Sequence, residues 1–156
     1  MKSFCLTMSG LGMLILALSF TACASAQPLP QTAVNQTFEN QITLLGYTLN
    51  DSRDRVQLFW QAGKTPAVDY LMFAQIMDEQ GRLVAQSDQT PGAVPTSQWT
   101  LGQIVINDYA LAQPNLSPAT YTLQVGLYHP ATGKRLSIDG KSSASVTITK
   151  FEIKRK

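Results

Sequence analysis

The stretch that decides the fold is residues 117–138, SPATYTLQVGLYHPATGKRLSI. Across residues 121–127, Tyr121, Leu123, Val125 and Leu127 share one face, and Thr122, Gln124 and Gly126 share the other. A period of two marks a strand with one buried and one open side. His129-Pro130-Ala131-Thr132-Gly133 follows, where Pro removes a ladder donor and Gly permits a reversing backbone. The expectation is a strand, a turn and the start of a second strand.

The flanking chain carries the same signals. In residues 56–62, VQLFWQA, the inward set is Val56, Leu58, Trp60 and Ala62, with Trp60 expected to be a central, structural tryptophan. Residues 70–77, YLMFAQIM, are apolar on both faces apart from Gln75, the pattern of a central strand. Asp78-Glu79-Gln80-Gly81-Arg82 reads as a hairpin with Gly81 in the left-handed region, and residues 83–87 return as an edge strand. Residues 41–49, 103–109 and 142–153 are further strands, and Gly46 marks an expected bulge in the first of them. No segment holds a helical apolar period over three turns, and no repeat recurs. The expected fold is all-β, an immunoglobulin-like antiparallel β-sandwich of about 7–8 strands. Pro118-Ala119-Thr120-Tyr121 adds a tyrosine corner, in which Tyr121 bonds to backbone upstream. Leu123 stands where antibody domains carry a cysteine, so only the general sandwich is expected.

The first 26 residues read as an export signal rather than fold. Lys2 precedes the uncharged run LGMLILALSF at 11–20, which is short of the ~20 residues that span a bilayer. Ala24-Ser25-Ala26 then fits a signal-peptidase site. Phe20-Thr21-Ala22-Cys23 also resembles a lipobox, which would lipidate Cys23 and anchor the chain to a membrane. Residues 27–40 read as a flexible linker, and residues 41–156 as one sandwich domain. Cys5 and Cys23 both precede that domain, so no disulfide is expected in it. Loss of Lys2 leaves 11 basic against 10 acidic side chains, a balance that argues against nucleic acid.

Catalytic machinery is sparse. His129 is the one histidine, it sits in a turn, and no G-x-S-x-G elbow exists. No His/Cys set could hold zinc. Asn50, Asp51 and Asp54 are interrupted and flanked by Arg53 and Arg55, which disfavours a cation site. No catalytic residue, metal or cofactor is expected, and a small carboxylate hydrolase is the remote alternative. Binding is favoured. Trp99 follows a Pro-rich loop and Tyr128 lies beside Gly126, which lets a backbone or ligand approach closely.

Trp99, Gly102, the Asp108-Tyr109 step, the corner at 118–121 and GLYHPATGKRL at 126–136 together resemble a known module. It is the extracytoplasmic C-terminal β-sandwich of bacterial membrane glycosyltransferases of the protein-mannosyltransferase-like type. Such transferases do their chemistry in a multi-helix membrane part, which these residues do not contain. The resemblance therefore implies a stand-alone exported accessory domain, not a transferase. It further implies an Arg135–Asp108 structural lock and a ligand site at Trp99, Tyr128 and Arg135, with a glycan or an envelope protein as partner. The membrane enters only through a lipid at Cys23, in which case the chain is a tethered assembly component. Mass analysis of the mature N-terminus separates the two fates. A start at Gln27 is expected, and a diacylated Cys23 would establish the tethered form instead.

Overall fold

A computed structural model describes residues 28–111 and 116–154. Residues 1–26, read from sequence as an export signal, lie outside them, Cys23 included. Two four-stranded antiparallel sheets form a β-sandwich. Sheet A has the order β1-β2-β3-β6, from β1 (Thr32–Phe38), β2 (Ile42–Leu49), β3 (Arg55–Ala62) and β6 (Ile104–Ala110). Sheet B has the order β5-β4-β7-β8, from β5 (Leu83–Gln89), β4 (Leu71–Met77), β7 (Ala119–Tyr128) and β8 (Val146–Ile153). With β1 set aside, β2-β3-β6 facing β5-β4-β7-β8 is the three-against-four strand order of immunoglobulin-like sandwiches. The described residues contain one short 3-10 turn, Thr96–Gln98.

The core lies between the sheets and is filled by alternate residues of each strand. Val56, Leu58 and Trp60 of β3 face Met72, Ala74 and Ile76 of β4, and Leu123, Val125 and Leu127 of β7, all fully buried. β4 is central, as its two-sided apolar pattern requires, and β5 is an edge. The β4–β5 hairpin is closed by Asp78, whose carboxylate accepts the N–H groups of Gln80 and Arg82 while Gly81 takes φ +74. Tyr121 completes a tyrosine corner, donating its hydroxyl to the Ser117 carbonyl at 2.8 Å. The register of β2 against β3 slips between Leu44 and Gly46, which is the bulge the glycine marked.

Three sequence expectations change. The stretch read as a linker, 27–40, contains β1, an edge strand that pairs with β2 through a bulge between Ala33 and Gln36. An edge strand sees solvent and buries few side chains, here chiefly Phe38, so its apolar signal is thin. The return after Gly133 is also not a strand. Arg135 bridges Tyr128 of sheet B, and three residues later Ile138 bridges Phe38 of sheet A. The segment crosses between the sheets, burying Leu136 and Ile138 on the way. Its far end grips the three-residue β1–β2 connection, where Glu39 and Asn40 both take positive φ, as the central pair of a primed turn needs. Glu39 N–H donates to the Ser137 carbonyl at 3.1 Å, and Asn40 N–H donates to the Asp139 carboxylate at 3.1 Å. The third change concerns Asp108 and Arg135. Asp108 is on β6 in sheet A, in register with Gln57, whereas Arg135 lies over the Phe73 ring of sheet B, so the expected lock does not form.

Gly126 sits at a tightly packed point of sheet B. A Cβ there would collide with both the Ala144 carbonyl and the Phe73 ring. Gly126→Ala is expected to lower stability by about 1–3 kcal/mol, the range for overpacking. Urea unfolding of the two proteins measures it; an unchanged midpoint would show that Phe73 and Ala144 move aside freely.

Candidate functional site

The site is assembled on the outer face of sheet B, at the end where β7 runs into the His129–Gly133 turn. Strand pairing sets it out in rows. Phe73 of β4 stands in register between Asp88 of β5 and Gly126 of β7, and Gln75 stands between Gln86 and Gln124. Because side chains alternate, Phe73, Gln75, Gln86, Asp88, Gln124 and Tyr128 all leave the sheet on the side away from the core.

Phe73 is an apolar ring on the polar side of a sheet, yet it is only 1% exposed. Two neighbours explain that. Gly126 offers no side chain, so the ring settles onto its backbone. Arg135 closes the other side, with its guanidinium carbon 4.1 Å from the ring centroid. A cation above a ring is worth about 0.5–1 kcal/mol at an exposed site. The Tyr128–Arg135 bridge brings the arginine there, and the bridge in turn depends on the turn at 129–134, closed by His129 N–H to the Lys134 carbonyl at 2.9 Å.

Around this stack runs a hydrogen-bonded chain. Gln75 Nε2 donates to Gln86 Oε1 at 2.8 Å, Gln86 Nε2 donates to Asp88 Oδ1 at 3.2 Å, and the Tyr128 hydroxyl donates to Asp88 Oδ2 at 3.0 Å. Each link fixes the next, so acceptors and donors are held on an open surface before any ligand arrives. Partial burial, then the hydrogen bond to Asp88 and its negative charge, push the Tyr128 hydroxyl above its ordinary pKa. Phe73, Gln86, Asp88, Tyr128, Gly133 and Arg135 together line a shallow groove of about 190 Å³. Enclosed small-molecule sites run to ~300–1,000 Å³, so this is a surface for lateral contact rather than a pit. Larger hollows of about 510 and 470 Å³ lie farther along the strands, around Thr120 and Lys150; the first shares Gln124 with the outer face of sheet B, and neither includes Trp99, Tyr128 or Arg135.

The structure brings together two of the three expected ligand residues, Tyr128 and Arg135, and separates the third. Trp99 is fully buried, and its indole N–H donates to the Val94 carbonyl at 3.2 Å. It plugs one end of the core beneath the 89–103 loop, where the buried Thr96 hydroxyl donates to the Val68 carbonyl and accepts the Tyr70 N–H. A Trp with no exposed face cannot stack on a ligand, so the expectation for Trp99 is corrected. Trp60 is likewise buried, and among the described residues its indole nitrogen has no hydrogen-bond partner. Sequence reading missed Phe73, Gln75, Gln86 and Asp88. The alternation of residues 83–89 does place Gln86 and Asp88 on one face, but a slip in register between Ile76 and Met77 defeats counting outward from the hairpin. His129 stays a turn residue, its Nδ1 accepting Ala131 N–H at 3.2 Å. Among the described residues no three His, Cys, Asp or Glu side chains are grouped to hold a metal ion.

The chain matches no protein-family model and no curated protein sequence.

The Tyr128–Asp88 pair has a pH consequence. Since folding raises the tyrosine pKa, its contribution to stability is complete below the unfolded value of about 10 and is lost as pH rises through the folded value. In an ultraviolet titration of phenolate, Asp88→Asn is expected to lower the Tyr128 pKa part of the way, burial remaining. No movement would mean that the carboxylate does not act on the hydroxyl.

Proposed function

We propose that the protein is an exported, non-catalytic accessory module that binds cell-envelope glycan through the Tyr128–Arg135 groove. The observation that carries this reading is a set of hydrogen-bonding side chains, pre-linked to one another and left open on a flat sheet face, with Tyr128 beside them. Saccharides are recognised by that combination, since hydroxyls need paired donors and acceptors and a ring needs a flat partner. The groove is too shallow to exclude water from a reacting bond, which supports binding over turnover. The resemblance to the sandwich modules of membrane glycosyltransferases agrees with an accessory role at the envelope. The segment 1–26 supports export, and Gln27 or a lipidated Cys23 is the mature start.

The test is direct binding. A glycan array with the wild-type domain is expected to give signals that Tyr128→Ala weakens at least tenfold and Trp99→Phe leaves in place. Absence of any wild-type signal would remove the glycan reading and leave an envelope protein as the partner to seek by cross-linking.

A further inference from the structure

Arg135 is held in an unusual way for a surface arginine. Its guanidinium carbon lies over the Phe73 ring, 4.1 Å from the centroid. The ion pairs among the described residues are Arg82 with Asp78 and Lys134 with Glu39, and neither involves Arg135. No hydrogen bond from its side chain is taken by a described residue either. The nearest carboxylate in the groove, Asp88, has both oxygens engaged, one by Tyr128 and one by Gln86. A guanidinium that lies over a ring and meets no acceptor among the described residues keeps its five N–H groups for another partner. A planar fork with its donors unspent is the partner of a planar two-oxygen anion.

Building on the glycan reading, we infer that the ligand is an acidic saccharide, bound through a sugar carboxylate on Arg135. The neighbouring groups fit the rest of such a ligand. Asp88 and Gln86 retain acceptor capacity for sugar hydroxyls, and the row formed by Gln86, Gln75 and Gln124 continues the polar surface across three strands. Asp88 opposes an anion by charge, which sets the geometry. The carboxylate belongs on the Arg135 side of Tyr128, and neutral hydroxyls belong on the Asp88 side. Lysine could supply the charge at position 135 but not the paired, planar donors or the stacking.

The decisive comparison uses one polymer backbone in two charge states, polygalacturonate and its fully methyl-esterified form, titrated calorimetrically into the full mature protein. Polygalacturonate is expected to bind at least tenfold more tightly. Arg135→Gln should abolish that preference, and Arg135→Lys should recover less than half of it on a logarithmic scale. Melting curves of the variants confirm that each is folded, and Lys154→Gln, at the far end of sheet B where Ile153 meets Ala119, serves as a charge control with no expected effect. Equal binding of both polymers, or a loss in Lys154→Gln as large as in Arg135→Gln, would overturn the carboxylate assignment while leaving glycan binding intact. Binding of neither polymer by a protein that also fails the glycan array would overturn both readings.

Discussion

Four residues that belong to no strand hold the two halves of this sandwich in step. Between Arg135 and Ile138 the chain leaves the rim of sheet B and joins the rim of sheet A, with Leu136 and Ile138 sunk into the core between. An isolated bridge is weak, and the net worth of one backbone hydrogen bond is only about 1 kcal/mol. What makes the crossing firm is that each bond is backed by burial. Leu136 N–H reaches the Leu127 carbonyl, and Asp139 N–H reaches the Thr37 carbonyl, while the apolar side chains between them cannot leave without opening the core. The positive-φ turn at Glu39 and Asn40 is affordable only because this segment meets it with two acceptors.

The same crossing builds the groove. Arg135 is the first residue of the segment, and its backbone pairing with Tyr128 puts its side chain over Phe73. Phe73 is therefore the point where fold and site meet. It is too apolar for an open sheet face, and it is kept dry by a glycine below and a guanidinium above. A side chain in place of the glycine would displace the ring, and loss of the guanidinium would expose it, so the residues that shape the groove also contribute to stability.

Much of the fold was legible because alternation survives wherever one face of a strand is buried. Trp60, Tyr121 and the β4 run declared themselves in this way, and Pro118 announced the corner that Tyr121 closes. β1 was not legible, since an edge strand with a bulge at Asn35 buries too little to print a period. Trp99 was misplaced for a physical reason. A Pro-rich loop normally runs outside, but this one folds down and its Trp finds a backbone carbonyl at Val94 inside. Of the site, the two residues in or next to a turn were found, Tyr128 and Arg135. Their partners Phe73, Gln86 and Asp88 arrive from other strands, and only the register, with its slip at Ile76, brings them together.

The rows of paired residues also fix where forces enter the molecule. β1 starts at Thr32, opposite Tyr47, and ends at Phe38 beside Ile138, so the groove lies near the finish of β1 and far from its start. β8 likewise finishes at the remote end, where Ile153 meets Ala119. A pull exerted between a captured ligand and the chain preceding β1 would therefore run along the strands rather than across them. Many ladder bonds would share that load at once and slide together, instead of parting one by one like a zip. With a ligand gripped in the groove as proposed, the sandwich would act as a mechanical link in series.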